Sequence, residues 1–437
     1  MLRRTHYVAQ LQDAEGRVVV SGWVHNIKDT GRLRFIWLRD HTGIAQVTVH
    51  KHRTSKAVLD MSEQLGNQDV IAVEGELAKE RIAKVGSEIV PERIEVISSS
   101  ERTLPIDLTG KAESNLDTRL DWRALDLRRP ETLAIFKIQA KLVEGMESYL
   151  REEGFIQVFT PCLIGGTSEG GAEVFKTDYF GKEAYLRQDP QLHRQLLIVG
   201  GLDRIFDLGP NWRAELSHTP RHMCEHRGCA VELAFIEDER DTMWVEEKLV
   251  VASLRKAAEE CEKELKLLGK EISIPKTPFP ELRFPQVYEI LAGMGKEIQR
   301  GEDYDRESEV LLSQYVEEQY DTEFFFVNRF PFKFKPFYVM RVDEEPTWAR
   351  SVDLISKGLE QSSGGQREHR HAKIVQQLEE KGMNPEVMKW FTEPFKYGAP
   401  PHGGFCLGIE RLTMALLSLD NIREAVLFPR TPERLLP

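Results

Sequence analysis

The sequence predicts an α+β protein in two parts, a small β-barrel at the N-terminus and a larger body of helices and antiparallel sheet. Three observations carry that reading. The first hundred residues alternate apolar and polar side chains in five runs, the period of a half-buried strand. A polar stretch with Pro105, Gly110 and Pro130 interrupts the pattern. Beyond it the chain turns helical, and its later strands do not alternate regularly with crossover helices, which favours an antiparallel sheet.

Each element has its own signature. Residues 17–27, 32–40, 44–50, 69–78 and 88–97 are the five alternating runs, with Asp29-Thr30-Gly31 and His41-Thr42-Gly43 as turns. Residues 55–65 read as a short helix between the third and fourth strands. Five strands with a helix at that place is the layout of an OB-fold barrel, a common oligonucleotide binder; another small barrel or a sandwich is the alternative. The expected boundaries are an OB-fold domain over 1–103, a hinge over 104–130 and the larger domain over 131–437. That domain opens with a helix whose apolar stripe is Ile138, Leu142, Met146, Tyr149 and Leu150, with Gly154 as its C-cap. A strand over 155–159 follows and ends at Thr160-Pro161. Further strands are expected near 183–187, 204–208, 229–236, 323–328 and 336–341. Helices are expected near 241–265, 305–319, 368–382 and 385–394.

Composition limits the function. The chain has 437 residues, 41% hydrophobic and 30% charged, which suits a folded globular protein. No apolar run nears the roughly 18–20 residues of a membrane span. The N-terminus leads into no signal-length apolar stretch, so neither a membrane partner nor secretion is expected. Five cysteines, an odd number, suit a reducing compartment and a cytoplasmic location. The net charge of −12 argues against coating nucleic acid by bulk charge. It is uneven, however. Residues 1–110 hold 15 Lys+Arg and 15 Asp+Glu, and a neutral N-terminal part leaves room for a local basic groove.

Four segments carry polar chemistry. Arg213 and Glu215 lie two apart and share one face if their segment is a strand, while Arg221-His222 open the expected return strand. Two guanidiniums and an imidazole on one hairpin could grip a polyphosphate; a solvated hairpin with ion pairs is the plainer reading. Between His402 and Leu412, glycines precede a helix starting near Gly408, with Arg411 in its first turn. A cation there opposes the helix dipole unless an anion binds nearby. The run Glu360-Gln361-Ser362-Ser363-Gly364-Gly365-Gln366-Arg367 lacks the Lys-Ser/Thr of a P-loop. Glu360, Ser363 and Asp353 beside arginines nevertheless offer the oxygen ligands that Mg²⁺ takes. Asp353 and Glu360 are seven apart, so on one strand they share a face only if a bulge intervenes. Thr167-Ser168-Glu169-Gly170-Gly171 is a flexible loop with one acid. His222, Cys224, His226 and Cys229 raise the question of zinc, but on a strand one of the four points away from the rest, and their spacing is not that of a zinc site.

Together these segments resemble the three motifs of the class II aminoacyl-tRNA synthetases, in their order. Within that class they resemble the compact archaeal, non-discriminating aspartyl-tRNA synthetases. The resemblance covers nearly the whole chain, through Arg423 to Arg430. It implies an OB-fold anticodon-binding domain and a catalytic domain with an antiparallel sheet flanked by helices. It also implies ATP and Mg²⁺ as cofactors, and aspartate and tRNA as partners. The helix and strand ending at Pro161 are similar to motif 1, which implies a homodimer. The segment of Arg213 and Glu215 is similar to motif 2, which implies that Arg213 grips the α-phosphate of ATP and Glu215 reads the adenine amine. Arg221 and His222 would hold the outer phosphates, and His226 stands where an aromatic usually lies under adenine. The helix of Arg411 is similar to motif 3, which places its guanidinium on the γ-phosphate. Glu360 and Ser363 match Mg²⁺ ligands. Arg367 matches the arginine that pairs with the substrate's side-chain carboxylate, Asp353 lines that pocket, Gln191 contacts the aspartate backbone, and Glu169 lies on the closing loop. In the barrel, Phe35 and Gln46 match positions that stack on and read the anticodon, with Glu74 as a further contact. His25 matches members that charge two tRNAs and Lys84 matches strict ones.

The implied reaction is ATP-dependent activation of aspartate and transfer to the 3′ end of tRNA(Asp), with tRNA(Asn) an open second acceptor. The chain departs from the family inside the amino-acid pocket. Gln188-Asp189-Pro190-Gln191-Leu192-His193-Arg194 stands where members commonly carry Gln-Ser-Pro-Gln-Leu-x-Lys, and Ala230 stands where they carry Asp. Arginine for lysine keeps the charge but not the shape. These departures keep a second reading open, a paralogue that passes an aspartate-like adenylate to an acceptor other than tRNA. The complete barrel opposes it. An asparaginyl enzyme is opposed by Arg367, since a guanidinium pairs with a carboxylate better than with an amide.

Overall fold

The alternation of residues 17–98 closes into a barrel. Its strands are β1 (Arg17–Asp29), β2 (Leu33–Arg39), β3 (Ile44–His50), β4 (Val70–Leu77) and β5 (Glu88–Ser98), with α1 (Lys56–Gln64) between β3 and β4. The order is β1-β2-β3-β5-β4, antiparallel except for β3 on β5. Val18, Val20, Val24, Ile36, Leu38, Val47, Val49, Ile71, Val73 and Ile89 fill the interior. Each contributes roughly 1.5–3 kcal/mol by burial. Ser55 starts α1 by accepting the Val58 N–H. The expected OB-fold barrel is therefore present. The computed structural model describes residues 2–78, 86–108, 112, 114–166, 173–216 and 219–437. It separates into two units, 1–114 and 115–437.

The second unit begins inside the stretch read as a hinge. Two short helices, α2 (Leu116–Asp121) and α3 (Arg123–Asp126), lie there. Arg123 is buried, pairs with Asp126 at 2.7 Å and donates to the carbonyls of Val426 and Leu427 at 2.7 and 3.0 Å. A buried, satisfied arginine reads as a polar linker residue in sequence, which is why the helices were not foreseen. The helix α4 (Pro130–Glu152) follows, with proline at its first position, the expected stripe facing the core, and Gly154 at φ 79° just beyond its end.

The rest of the unit is built on one sheet. In chain order come β6 (Ile156–Gln157), a satellite sheet of β7 (Leu163–Ile164), β8 (Lys176–Tyr179) and β9 (Lys182–Leu186), then α5 (Gln191–Val199), β10 (Arg204–Trp212) and β11 (Glu225–Ala234). Next are α6 (Arg240–Glu260), α7 (Glu262–Leu268), β12 (Glu281–Arg283), α8 (Gln286–Gly293), α9 (Arg306–Tyr320) and β13 (Phe324–Asn328). Last are β14 (Ser351–Ser356), β15 (Leu359–Arg367), α10 (His371–Glu380), α11 (Lys389–Thr392), β16 (His402–Gly408) and α12 (Ile409–Leu417). The sheet order is β12-β13-β14-β15-β16-β11-β10-β6, antiparallel except at its two edges. One face packs Phe206, Cys229, Val231, Phe405 and Leu407 with Leu142, Met146, Leu249 and Val250 of α4 and α6. The other face packs Phe325, Val327 and Ile355 against Val287 and Leu291 of α8 and Leu312 and Val316 of α9, and its polar middle holds the site.

Some expectations change. Residues 336–341 form only isolated bridges, Val339 to Arg367 and Arg341 to Ala349. The strand expected over 155–159 is two residues long. The helix read over 241–265 breaks at Cys261.

Candidate active site

Side chains of one face of β10, β11, β14, β15 and β16 converge on a cavity of about 450 Å³. Arg213, Glu215, Arg221, His222, His226, Glu360, Ser363, Asp353, Gln191, Arg367 and Arg411 all line it. Glu169 and Lys84 lie outside the described residues. The expectation that Arg213 and Glu215 share a strand face is corrected. β10 ends at Trp212 and β11 begins at Glu225, so Arg213, Glu215, Arg221 and His222 sit on the connection. That connection is anchored at both sides: the Arg213 N–H donates to the Cys224 carbonyl at 3.0 Å, and the Ala214 N–H to the Glu173 carbonyl at 2.7 Å.

A bulge brings the metal-ligand candidates together. Asp353 on β14 faces Ser363 on β15, and the register then slips so that Ile355 faces Glu360. Gln361 is the extra residue, and Glu360 thereby joins the face of Asp353 and Ser363. Among the described residues no three His, Cys, Asp or Glu side chains could hold a metal by themselves. A carboxylate and a hydroxyl in a cavity also lined by Arg213, Arg221 and Arg411 nonetheless suit Mg²⁺, which keeps waters and shares ligands with a phosphate-bearing substrate.

The cavity has an arginine-rich exposed end and a buried end. Arg213 is 42% exposed, with Nη1 3.7 Å from Glu215. Arg221 Nη1 lies 3.9 Å from Glu309. Arg411 Nη1 donates to the carbonyl and carboxylate of Glu360 at 3.1 and 3.2 Å. The cation in the first turn of α12 is thus met by an acid, as its conflict with the helix dipole requires. At the buried end, Arg367 donates from Nε to Glu232 and from Nη2 to Gln191 Oε1 and the Gly404 carbonyl, all at 3.0 Å. Arg194, expected in the pocket, has no exposed surface and does not line the cavity. It grips Asp189 with two bonds of 2.7 and 2.8 Å.

Several groups are electrically displaced. Burial lifts Asp353 to about 6, against the pull of Lys335 Nζ at 3.2 Å. Burial, reinforced by the Glu360 charge, lifts Glu309 to about 7. Burial, with Arg213 and Arg411 nearby, holds His226 down at about 3, so its imidazole is neutral. Burial also raises Asp189, but the charge and hydrogen bonds of Arg194, with the charges of Arg367 and Arg187, together outweigh it and the carboxyl ends below its ordinary value. Glu309, Lys335 and Tyr304 line the cavity and were not foreseen. A lone acid and lysine in ordinary helix and loop sequence give no signal of their own.

On the barrel, Phe35 and Gln46 alternate with Ile36, Ala45 and Val47 of the interior and so face away from it, Gln46 being buried nonetheless. Phe35 is paired across β2 with Thr48 and Lys28, and Gln46 with Trp37 and Glu88. Gln46 also donates to Thr48 at 3.2 Å. His25 is the extra residue of a bulge in β1. Glu74 faces Val19, nine residues along β1 from Lys28, the partner of Phe35. It also pairs with Arg17 at 3.1 Å. The acid beside Gln46 is Glu88, on the neighbouring strand. Strand pairing between distant segments placed it there, which spacing alone could not show.

Comparison with known proteins agrees with this geometry. Residues 115–432 match the family described as tRNA synthetases class II (D, K and N), and residues 18–97 match the OB-fold nucleic acid binding domain. The chain is 44% identical to the aspartate–tRNA(Asp) ligase of Pyrococcus furiosus, over 99% of this chain and all of that one. It is 43% identical to the aspartate–tRNA(Asp/Asn) ligase of Methanopyrus kandleri, over the whole of both. Among solved structures it is similar to the asparaginyl-tRNA synthetase of Pyrococcus horikoshii with asparaginyl-adenylate, at TM-score 0.91 and 32% identity over the whole of both chains. It is also similar to the aspartyl-tRNA synthetase of Entamoeba histolytica, at TM-score 0.86 and 28% identity over all of this chain and 93% of that one. With the family spanning the unit that holds the cavity, and relatives matched end to end, the chain belongs to the class II tRNA synthetases of the D, K and N group.

Proposed function

We infer that the protein activates aspartate with ATP and transfers it to the 3′ end of tRNA(Asp). The observation that carries this is one cavity with Arg213, Arg221 and Arg411 at its exposed end and Arg367 at its buried end. Guanidiniums at both ends suit a substrate pair with phosphates on one side and a carboxylate on the other. The α-carboxylate of aspartate attacks the α-phosphorus of ATP and pyrophosphate leaves. The nucleophile is already an anion, so positioning and charge stabilisation do the catalysis, and Arg213 and Arg411 meet the charge that builds on the phosphates. Glu360 and Ser363 would hold Mg²⁺, which would supply further charge neutralisation there. A terminal ribose hydroxyl of tRNA then attacks the carbonyl carbon and AMP leaves.

The anticodon role rests on Phe35 as a stacking ring and on Gln46 as a polar reader beside it. His25 supports tRNA(Asn) as a second acceptor. Ile156 in β6 and Phe159 just beyond it, exposed at 52 and 86%, support a homodimer across motif 1. Sedimentation equilibrium of the full chain should give twice the chain mass, and a monomer at micromolar concentration sinks that assignment. No helix among the described residues is long and apolar enough to cross a membrane, and a cytoplasmic location accords with the free cysteines.

The deciding experiment is amino-acid-dependent ATP–pyrophosphate exchange across the twenty amino acids, followed by charging of tRNA(Asp) and tRNA(Asn). Exchange with aspartate alone and charging of tRNA(Asp) is the expected result. Exchange without charging of either tRNA would favour the paralogue with another acceptor.

A further inference from the structure

The pocket departure at positions 189 and 194 has a geometry of its own. Arg194 stands on the first turn of α5 with its guanidinium fully buried. Nη1 and Nη2 donate to the two oxygens of Asp189 at 2.7 and 2.8 Å, a fork on a fork. Nη2 also donates to Gln191 Oε1 at 2.7 Å. That oxygen accepts from Arg367 Nη2 at 3.0 Å as well. Two cations on one oxygen fix the amide, because the flipped orientation would aim its own N–H groups at guanidiniums. Gln191 Nε2 is thereby turned to Glu232, at 3.0 Å. Asp189 and Gln191 line the cavity and Arg194 does not.

We propose that Asp189 and Arg194 act as one unit that fixes Gln191, so that Arg194 is a positioning residue and Arg367 alone is left to receive the substrate's side-chain carboxylate. The proposal rests on the aspartate reading above. Its charge logic is local. Asp189, Arg194, Glu232 and Arg367 sum to zero, and all but Asp189 are buried. Without the Asp189 charge, Arg194 would be a buried cation already 3.9 Å from Glu232, free to compete with Arg367 for that acid. A lysine at 194 is a point charge and cannot span both Asp189 oxygens and Gln191. With serine at 189 the requirement disappears, since one compact cation can face Glu232 with no second acid beside it.

The test uses full-length Asp189→Asn, Arg194→Lys and the double variant Asp189→Ser/Arg194→Lys in pyrophosphate exchange, with aspartate and ATP varied separately. Each single change should raise the KM for aspartate about tenfold or more and leave that for ATP within about twofold, and the double variant should return within about threefold of the parent. A general loosening of the fold would move both substrates and would not be rescued. Asp189→Asn with an unchanged KM for aspartate overturns the proposal. So does an ATP KM that rises in step, or a double variant no better than Arg194→Lys. Asp189 is 18% exposed, so its asparagine variant decides the matter alone if Arg194→Lys does not fold. The parent enzyme is assayed first. Silence with aspartate there removes the functional reading itself, whereas activity there with an unaffected Asp189→Asn removes only this proposal.

Discussion

Arg411 and His226 show how single residues carry opposite electrical duties in one cavity. In the proposed reaction Arg411 faces the phosphates, and its bonds to the Glu360 carbonyl and carboxylate hold it in place. Arg411→Ala should cut pyrophosphate exchange by at least about 10³-fold while far-UV circular dichroism stays at the parent level. Parent-level exchange in that variant removes the motif 3 assignment. His226 must remain neutral, and burial with two neighbouring arginines sees to that. An unfolded imidazole titrates near 6.5, so between about 6.5 and 3 the unfolded chain binds a proton that the folded chain refuses. Stability is therefore full above about 6.5 and falls as pH drops below it. His226→Phe should lose about 1–2 kcal/mol less than the parent between about pH 7.5 and about pH 5, read from urea midpoints. Equal losses would mean that the imidazole is protonated in the fold.

At the scale of elements, glycine decides where the site's strands can lie. A Cβ on Gly404 would meet the Val231 carbonyl at 2.0 Å and Glu232 Oε2 at 2.6 Å. Gly404→Ala should destabilise the protein by about 3 kcal/mol or more, because backbone must move. Gly293 ends α8 with open space around it, so Gly293→Ala should be neutral or gain up to about 1 kcal/mol. Chemical denaturation separates the two, and equal effects would contradict the close packing of β11 on β16. The same glycines explain what the sequence concealed. The barrel was legible because Val, Ile and Leu alternate along each of its strands. β15 and β16 carry no such alternation, so neither Ser362-Ser363-Gly364-Gly365 nor Gly403-Gly404 is among the expected strands, although both run through the middle of the sheet. Resemblance supplied the roles of Glu360, Ser363 and Arg367 there. It could not supply the bulge at Gln361 that aligns Glu360 with Ser363, which is a matter of register within the β14–β15 hairpin, nor the Asp189–Arg194 pair, which is made by residues at which this chain departs from the family.

At the scale of the whole molecule, two units divide two recognition tasks, and that division can be tested without cutting the chain. The barrel shows Phe35 and Gln46 on an outer face whose interior is filled by aliphatic side chains, so changing the outer ring leaves the barrel core intact. In the proposed reaction adenylate formation uses only groups of residues 115–437, which line the cavity. Phe35→Ala should therefore leave aspartate-dependent pyrophosphate exchange at the parent rate. It should lower kcat/KM for tRNA charging by about 1–3 kcal/mol, roughly 5- to 150-fold, if the ring stacks on an anticodon base. The loss should sit in the KM for tRNA, since stacking in the encounter complex is uniform binding that persists to the transition state. Arg411→Ala gives the complementary pattern, losing both steps because the second consumes the product of the first. The pair of variants makes the assignment of tasks falsifiable. Loss of exchange in Phe35→Ala would mean that the barrel contributes to activation, and an undiminished tRNA charging rate would mean that this outer face does not read the anticodon.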